Sequence, residues 1–190
     1  MLKQIALAAA LLVSAHAASF TATINTDTGL PPIVFNITEE LAPIGVARFK
    51  ELVDSGFYDQ APFFRYVDTF IVQFGIAYEP SVNAKYAHNE IKDDPVSISN
   101  DKGTLVYATA GPDTRTSQLF INFQDNAGLD AQGFAPFGQI VSGIETAVAI
   151  FNPTPDDDGG INQNQLSLKG GAWADETYPG LNHITSITIE

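Results

Sequence analysis

One arginine stands inside a strongly aromatic run, Phe63-Phe64-Arg65-Tyr66-Val67-Asp68-Thr69-Phe70-Ile71-Val72-Gln73-Phe74-Gly75, with a glutamine eight residues further on. A guanidinium presents a planar, rigid fork of donors, which a lysine lacks. An arginine among aromatics can also be a rim residue whose stem packs on rings, and the spacing leaves both readings open. A second glutamine, Gln118, stands where the small-residue segment Ala108-Thr109-Ala110-Gly111 runs through a polar turn into Leu119-Phe120-Ile121. It is either part of the same constellation or a residue that ties down the turn.

Other chemistries lack their residues. The histidines beyond the first seventeen residues are His88 and His183, in polar surroundings with no nucleophile elbow nearby, so a histidine-based hydrolase is not expected. The same two residues, far apart and without cysteine, give no transition-metal spacing. No glycine-rich phosphate loop follows a strand pattern. Asp156-Asp157-Asp158-Gly159-Gly160 invites a calcium reading, but its oxygens miss the offsets of a calcium loop and no bidentate Glu follows. No metal or cofactor is expected.

The elements that must position Arg65 and the glutamines read mainly as strands. Apolar and polar residues alternate at Phe20-Ala22-Ile24, Ile33-Phe35-Ile37, Val96-Ile98, Leu119-Ile121-Phe123 and Ile187-Ile189. Thr69 to Ile76 and Gly103 to Thr109 are rich in β-branched and aromatic residues and are predicted strands too. Two helices interrupt them. The first starts at Pro43, repeats apolar residues at Val46, Phe49 and Val53, and closes at Gly56 in a left-handed cap. The second follows the capping-box spacing Ser142 to Glu145 and must stop by Asn152-Pro153. Thr154 to Gly171 shows no apolar periodicity and is predicted to be a solvated loop. Many strands and few helices favour an antiparallel barrel over a parallel sheet, with a β-sandwich as the rival.

The 190 residues, 45% hydrophobic and without cysteine, suffice for one domain stabilised by its core alone. The formal charge of -13 repels phosphate backbones and anionic lipid, so neither nucleic acid nor a membrane surface is an expected partner. Lys3, the apolar run Ile5 to Val13 and the small-x-small site Ala15-His16-Ala17 form a secretory signal pattern. The run is too short for a membrane anchor. Residues 1–17 are therefore expected to be removed, leaving a domain over 18–190 in an exported protein: periplasmic, secretory or secreted.

The two chemistry-bearing segments resemble the core of cyclophilins, which read Phe-His-Arg, then Phe-Met-x-Gln-Gly-Gly, then Met-Ala-Asn-Ala-Gly-Pro-x-Thr-x-x-Ser-Gln-Phe-Phe-Ile. The likeness extends to Gly56-Phe57-Tyr58-Asp59, Leu129-Asp130 and Phe137-Gly138-Gln139-Ile140-Val141-Ser142-Gly143-Ile144-Glu145, covering most of Phe20 to Ile150. Gly133 to Gly138 is most similar to a divergent branch of that family. The resemblance implies an eight-stranded closed antiparallel barrel with two capping helices, and peptidyl-prolyl cis/trans isomerase activity that assists protein folding. It implies that Arg65 is the catalytic arginine and that Phe70, Ile71, Phe120, Leu129 and Phe134 surround the proline ring. Gln73, Ala108, Thr109, Ala110 and Gln118 would hold the peptide backbone. The partners implied are proline-containing peptides and folding proteins, with a monomer as the default.

Departures from the family pattern are specific. The usual histidine before the arginine is Phe64, the pocket methionine is Ile71, the asparagine after Ala108 is Thr109, and the first glycine after Gln73 is Phe74. The family's frequent tryptophan before Leu-Asp is Gly128, so weaker binding of the family's cyclic-peptide inhibitor is expected. Two rival functions share parts of this reading. A non-catalytic peptide-binding module or chaperone would use the same groove, while a lipocalin-like carrier would need an open lumen that Phe35, Phe49 and Phe123 are expected to fill. Asn36-Ile37-Thr38 matches a glycosylation sequon inside a predicted strand.

Overall fold

Alternation in the first strands translates directly into a pleated sheet with one buried face. The computed structural model describes residues 18–190, so the expected signal segment lies outside the described residues. In β1 (Ser19–Thr26) and β2 (Ile33–Thr38), Ala22, Ile24, Ile33, Phe35 and Ile37 point inward and are fully buried. The other strands are β3 (Arg65–Val67), β4 (Ile71–Phe74), β5 (Thr104–Tyr107), β6 (Leu119–Asn122), β7 (Pro136–Ser142) and β8 (Ile184–Ile189). They form a single eight-stranded sheet in the order β3-β4-β6-β5-β7-β2-β1-β8, with antiparallel pairing throughout.

The sheet curls until its ends meet just upstream of β3. Gln60 N donates to Ile184 O at 2.8 Å, Ile184 N to Ala61 O at 3.0 Å, and Phe63 N to Asn182 O at 3.0 Å. Closure therefore runs through this short bridge rather than through a β3–β8 ladder, and the expected closed barrel is closed only roughly.

Inside, aromatic rings take the space that a ligand lumen would need. Phe49 packs on Phe137 at 5.5 Å between centroids and Tyr107 stacks on Phe137 at 5.4 Å. Phe35, Phe49 and Phe123 all belong to this core, as the sequence reading expects. The helix α1 (Pro43–Asp54) adds Val46, Phe49 and Leu52, and Gly56 closes it with φ of 67°. A short α3 (Ile144–Val148) adds Ala147 and is followed by Ile150.

Several sequence expectations are corrected. The capping box at Ser142 does not form: Gly143 is the N-cap residue, with no side-chain capping bond and φ of 85°. A Cβ at Gly143 would meet Pro32 O at 2.2 Å, so close approach of β7 to the β2 entry decides the geometry there. Val96-Ile98 joins no strand. Pro95 lacks an N–H donor, while Asp94 and Asn100 on either side are engaged by α1 and by Asp130. Thr154 to Gly171 is not loop throughout, because α4 (Gln163–Lys169) begins within it, capped by Asn162 Oδ1 accepting from Gln165 N at 3.0 Å. Leu166 alone anchors α4, fully buried against the cluster containing Phe64 and Ile76, a burial contributing about 2 kcal/mol. With α2 (Pro80–Asn83) and α5 (Gly171–Thr177) there are five α-helices among the described residues, not two.

One buried ion pair fixes α1 to the turn that precedes β6. Asp94 accepts from the first free amides of α1, Ile44 N at 3.0 Å and Gly45 N at 2.8 Å, and pairs with Arg115 Nη2 at 3.0 Å. The Asp94 and Arg115 side chains are 1% and 3% exposed. Replacing Asp94 by Ala leaves a buried guanidinium without its main partner and uncaps α1. The expected loss is about 3–5 kcal/mol in urea denaturation, and Asp93→Ala, whose carboxylate is a third exposed, costs well under half of that.

Candidate active site

Sheet register places the chemistry-bearing residues in one row on the outer face of the barrel. Arg65 pairs with Gln73 across β3 and β4, Gln73 with Phe120 across β4 and β6, and Phe120 with Val106 across β6 and β5. Period-two alternation sends Val72 and Phe74 inward to the core, while Ile71, Val106 and Phe120 form a separate outer cluster. These strands are buried on both faces, so both sets of side chains, Gln73 included, are withdrawn from solvent.

The polar part of the row is a relay. Arg65 Nη1 donates to Gln73 Oε1 at 3.1 Å, and Gln73 Nε2 donates to Gln118 Oε1 at 2.8 Å. Gln73 is 6% exposed, so its amide has both ends satisfied in a nearly dry place. Burial draws the Arg65 pKa below the usual arginine value, and the nearby Asp158 carboxylate opposes that shift. A guanidinium starts so far above neutrality that Arg65 remains a cation.

Gln118 is held by the turn before β6 rather than holding it. Tyr58 Oη donates to Ser117 O at 3.0 Å, and Ser117 Oγ donates to Gly75 O at 2.9 Å. Burial pushes the Tyr58 phenol well above its usual range, so it keeps its proton and stays a donor. Arg48 adds a bond from Nη1 to Thr116 O at 3.2 Å.

The apolar part is a cavity of about 580 Å³ beside this relay. Every residue singled out from the sequence lies on its wall: Arg65, Gln73 and Gln118 at the polar side, and Phe70, Ile71, Phe120, Leu129 and Phe134 at the apolar side. Ala108, Thr109 and Ala110 form a third edge. Ala108 N donates to Gln118 O at 2.9 Å and Ala110 N to Thr114 Oγ1 at 2.9 Å, so both amides are already engaged. Phe134 meets Phe120 edge-on, 5.6 Å between centroids, and so completes the apolar wall. Gly128 is exposed with open space around it, and Trp173 lies on α5 against Tyr178, away from the cavity.

Thr114, Thr116, Gln132, Gly159 and Gln163 also line the cavity and were not singled out from the sequence. The two threonines lie inside the resembling motif, so a signal existed. Gly159 and Gln163 come from the segment read as solvated loop, where no periodicity points to a site.

A buried polar network holds the wall that carries Leu129 and Phe134. Asn122 Nδ2 donates to Thr104 Oγ1 at 2.8 Å, and Asn126 Nδ2 to Asn122 Oδ1 at 2.7 Å. Asn100 Nδ2 donates to Phe134 O at 2.9 Å. Asp130 accepts from Ser99 Oγ at 2.7 Å, Asn100 N at 2.9 Å and Asn100 Nδ2 at 2.7 Å. Among the described residues no cluster of three or more His, Asp or Glu is placed to hold a metal.

Comparison with known proteins agrees with this geometry. Residues 21–168 match the family model described as "Cyclophilin type peptidyl-prolyl cis-trans isomerase/CLD". A peptidyl-prolyl cis-trans isomerase of Acinetobacter baylyi is 34% identical over 171 residues, covering 86% of this chain and 89% of the relative. Peptidyl-prolyl cis-trans isomerase A of Dickeya dadantii is 35% identical, covering 72% of this chain and 77% of that protein. The fold is shared with a Cryptosporidium parvum cyclophilin-type isomerase crystallised in the presence of the dipeptide Ala-Pro, at TM-score 0.66 and 21% identity over 90% of this chain and 98% of that one.

The bonds from the Asn100 and Ser99 side chains and from the Asn100 amide hold the Asp130 carboxyl below the usual carboxylate range. A depressed folded-state pKa contributes stability that is complete above the unfolded value of about 4 and is lost as pH falls through the folded one. The urea midpoint should therefore decline as pH drops below about 4. Asp130→Asn should lower the midpoint at neutral pH and flatten that decline.

Proposed function

The chain belongs to the cyclophilin-type peptidyl-prolyl cis-trans isomerase family, and on that premise we propose that it catalyses rotation about X-Pro bonds with Arg65 as the catalytic group. The observation that carries this reading is the Arg65–Gln73–Gln118 relay on the wall of a cavity whose other side is apolar, formed by Phe70, Ile71, Phe120, Leu129 and Phe134.

The planar amide owes a rotation barrier of about 18–20 kcal/mol to its partial double bond. No bond is made or broken in rotation, so a site needs only to favour the twisted amide over either planar form. On twisting, the prolyl nitrogen becomes pyramidal and its lone pair, delocalised into the carbonyl in the planar amide, is localised on it. A fixed guanidinium hydrogen-bonds that lone pair and so disfavours return of resonance. Ile71, Phe120, Leu129 and Phe134 grip the ring through apolar contact. Because the amides of Ala108 and Ala110 are engaged, their contacts to a peptide backbone fall to their carbonyl oxygens. Neither cofactor nor metal enters the scheme.

The exported state is part of the same proposal. The apolar run Ile5 to Val13 and the Ala15-His16-Ala17 site support cleavage before Ala18, with proline-containing segments of folding proteins as substrates for a monomer. Intact-mass measurement of protein recovered from its native cell should give a chain starting at Ala18; one starting at Met1 would refute export by this route.

Catalysis is tested by the cis-to-trans rate of a short Ala-Pro-Phe peptide with the chain from Ala18 onward. Arg65→Ala should lower kcat/KM by about 10²- to 10³-fold with the fold intact, and Arg65→Lys should recover little of it. A folded wild type that binds the peptide without accelerating exchange would instead be a proline-peptide-binding module.

A further inference from the structure

The turn from Asp157 to Ile161 contributes little to the cavity wall, yet it lies directly on Arg65. Arg65 Nε donates to the main-chain oxygen of Asp158 at 2.6 Å. Ile161 N donates to Phe64 O at 2.9 Å, fastening the turn to the residue before Arg65. Between these bonds Gly160 sits at φ of +77°, and a Cβ there would lie 2.6 Å from both Arg65 Cβ and Phe64 O. Only glycine allows the turn to come so close.

The turn is itself braced. Asp157 Oδ1 accepts from Gly159 N at 2.8 Å, Asp157 O accepts from Gly160 N at 3.2 Å, and Thr154 Oγ1 donates to Asp157 O at 2.9 Å. At its far end Ile161 is 2% exposed, in the cluster that holds Phe64 and Leu166. Phe64, standing where the family usually has histidine, thus ties the turn down from beneath.

Arginine has a long flexible stem, and a half-buried guanidinium is useful only if its plane is set. Nη1 is fixed by Gln73 and Nε by the Asp158 carbonyl. Among the described residues Nη2 has no hydrogen-bond partner, which leaves it for a substrate.

We propose that the 157–161 turn is a positioning element for Arg65: the Asp158 carbonyl and the close approach at Gly160 set the guanidinium for turnover. This rests on the reading of Arg65 as the catalytic group. The turn then governs the chemical step and leaves ring binding to the apolar wall.

The test compares the chain from Ala18 with its Gly160→Ala, Asp157→Ala and Asp156→Asn variants. It reads kcat and KM for the Ala-Pro-Phe peptide and the Arg65 Nε–H signal by NMR. Gly160→Ala should reduce kcat about ten- to a hundredfold with KM little changed, and should move the Nε–H signal into the envelope of free arginines. Asp157→Ala, which loosens the turn from an exposed position, should shift both readouts the same way by less. Asp156→Asn should behave as wild type. If Gly160→Ala fails to fold, Asp157→Ala decides. An unchanged kcat despite a displaced Nε–H signal, or a loss confined to KM, overturns the proposal. If the wild type does not accelerate exchange, the isomerase reading fails separately, and an Nε–H signal unmoved by both turn variants would still sink the positioning claim.

Discussion

Gln73 is a neutral amide on the outer face of a strand buried on both sides, and much of the site follows from satisfying it. A buried amide left without partners costs about 1–3 kcal/mol, a large share of a small domain's stability. Its oxygen is met by Arg65, directly opposite on β3, and its nitrogen by Gln118, at the end of the turn before β6. Neither strand pairing nor hydrophobic packing alone would set these side chains in line. The amide at the centre makes the three act as one unit, so that the position of the guanidinium depends on the turn at Ser117 as much as on β3 itself.

A filled barrel forces function to the outside. The interior is occupied by Phe35, Phe49, Phe137, Tyr107 and their neighbours, leaving no room for a ligand. The outer face of β4, β5 and β6 carries a second, smaller apolar cluster, covered on one side by Leu129 and Phe134 and open on the other. That covering wall is built on a 3-10 helix, Ala127–Gln132, and it is held by side-chain amides and the Asp130 carboxylate instead of a ladder. Polar bonds of this kind are directional, so they fix the wall's distance from Phe120 in a way that apolar contact would not.

Much of this was legible in the sequence, for identifiable reasons. Strands with one exposed face, such as β1 and β2, keep the period-two signal. The pocket residues were reached through ordered motifs, and all of them fall on one cavity. What was illegible depends on tertiary partners. β3 is three residues long, too short to show a period, and exists because β4 pairs with it. The helix α4 has a single buried anchor in Leu166, and nothing local announces that Phe64 and Ile76 wait for it. Val96-Ile98 alternates well but joins no strand, its flanks being committed to α1 and Asp130.

The same logic explains why the departures from the family pattern need not have equal weight. Ile71 replaces one apolar surface by another on the cavity wall, a change that conserves the wall's character. Gly128 removes a side chain from an exposed rim where nothing packs, so it alters what can be gripped at the edge but not the support of Arg65. Phe64 is different in kind. A histidine there would carry polar nitrogens into a cluster made of Ile76, Ile161, Leu166, Ala174 and Leu181, a burial that costs free energy unless each nitrogen finds a partner. Phenylalanine turns that position into a purely apolar footing, and the segment fastened to it, Gly160 and Ile161, presses against Arg65. The phenylalanine before the arginine and the turn beyond residue 156 are thus joined by packing although they are distant in sequence.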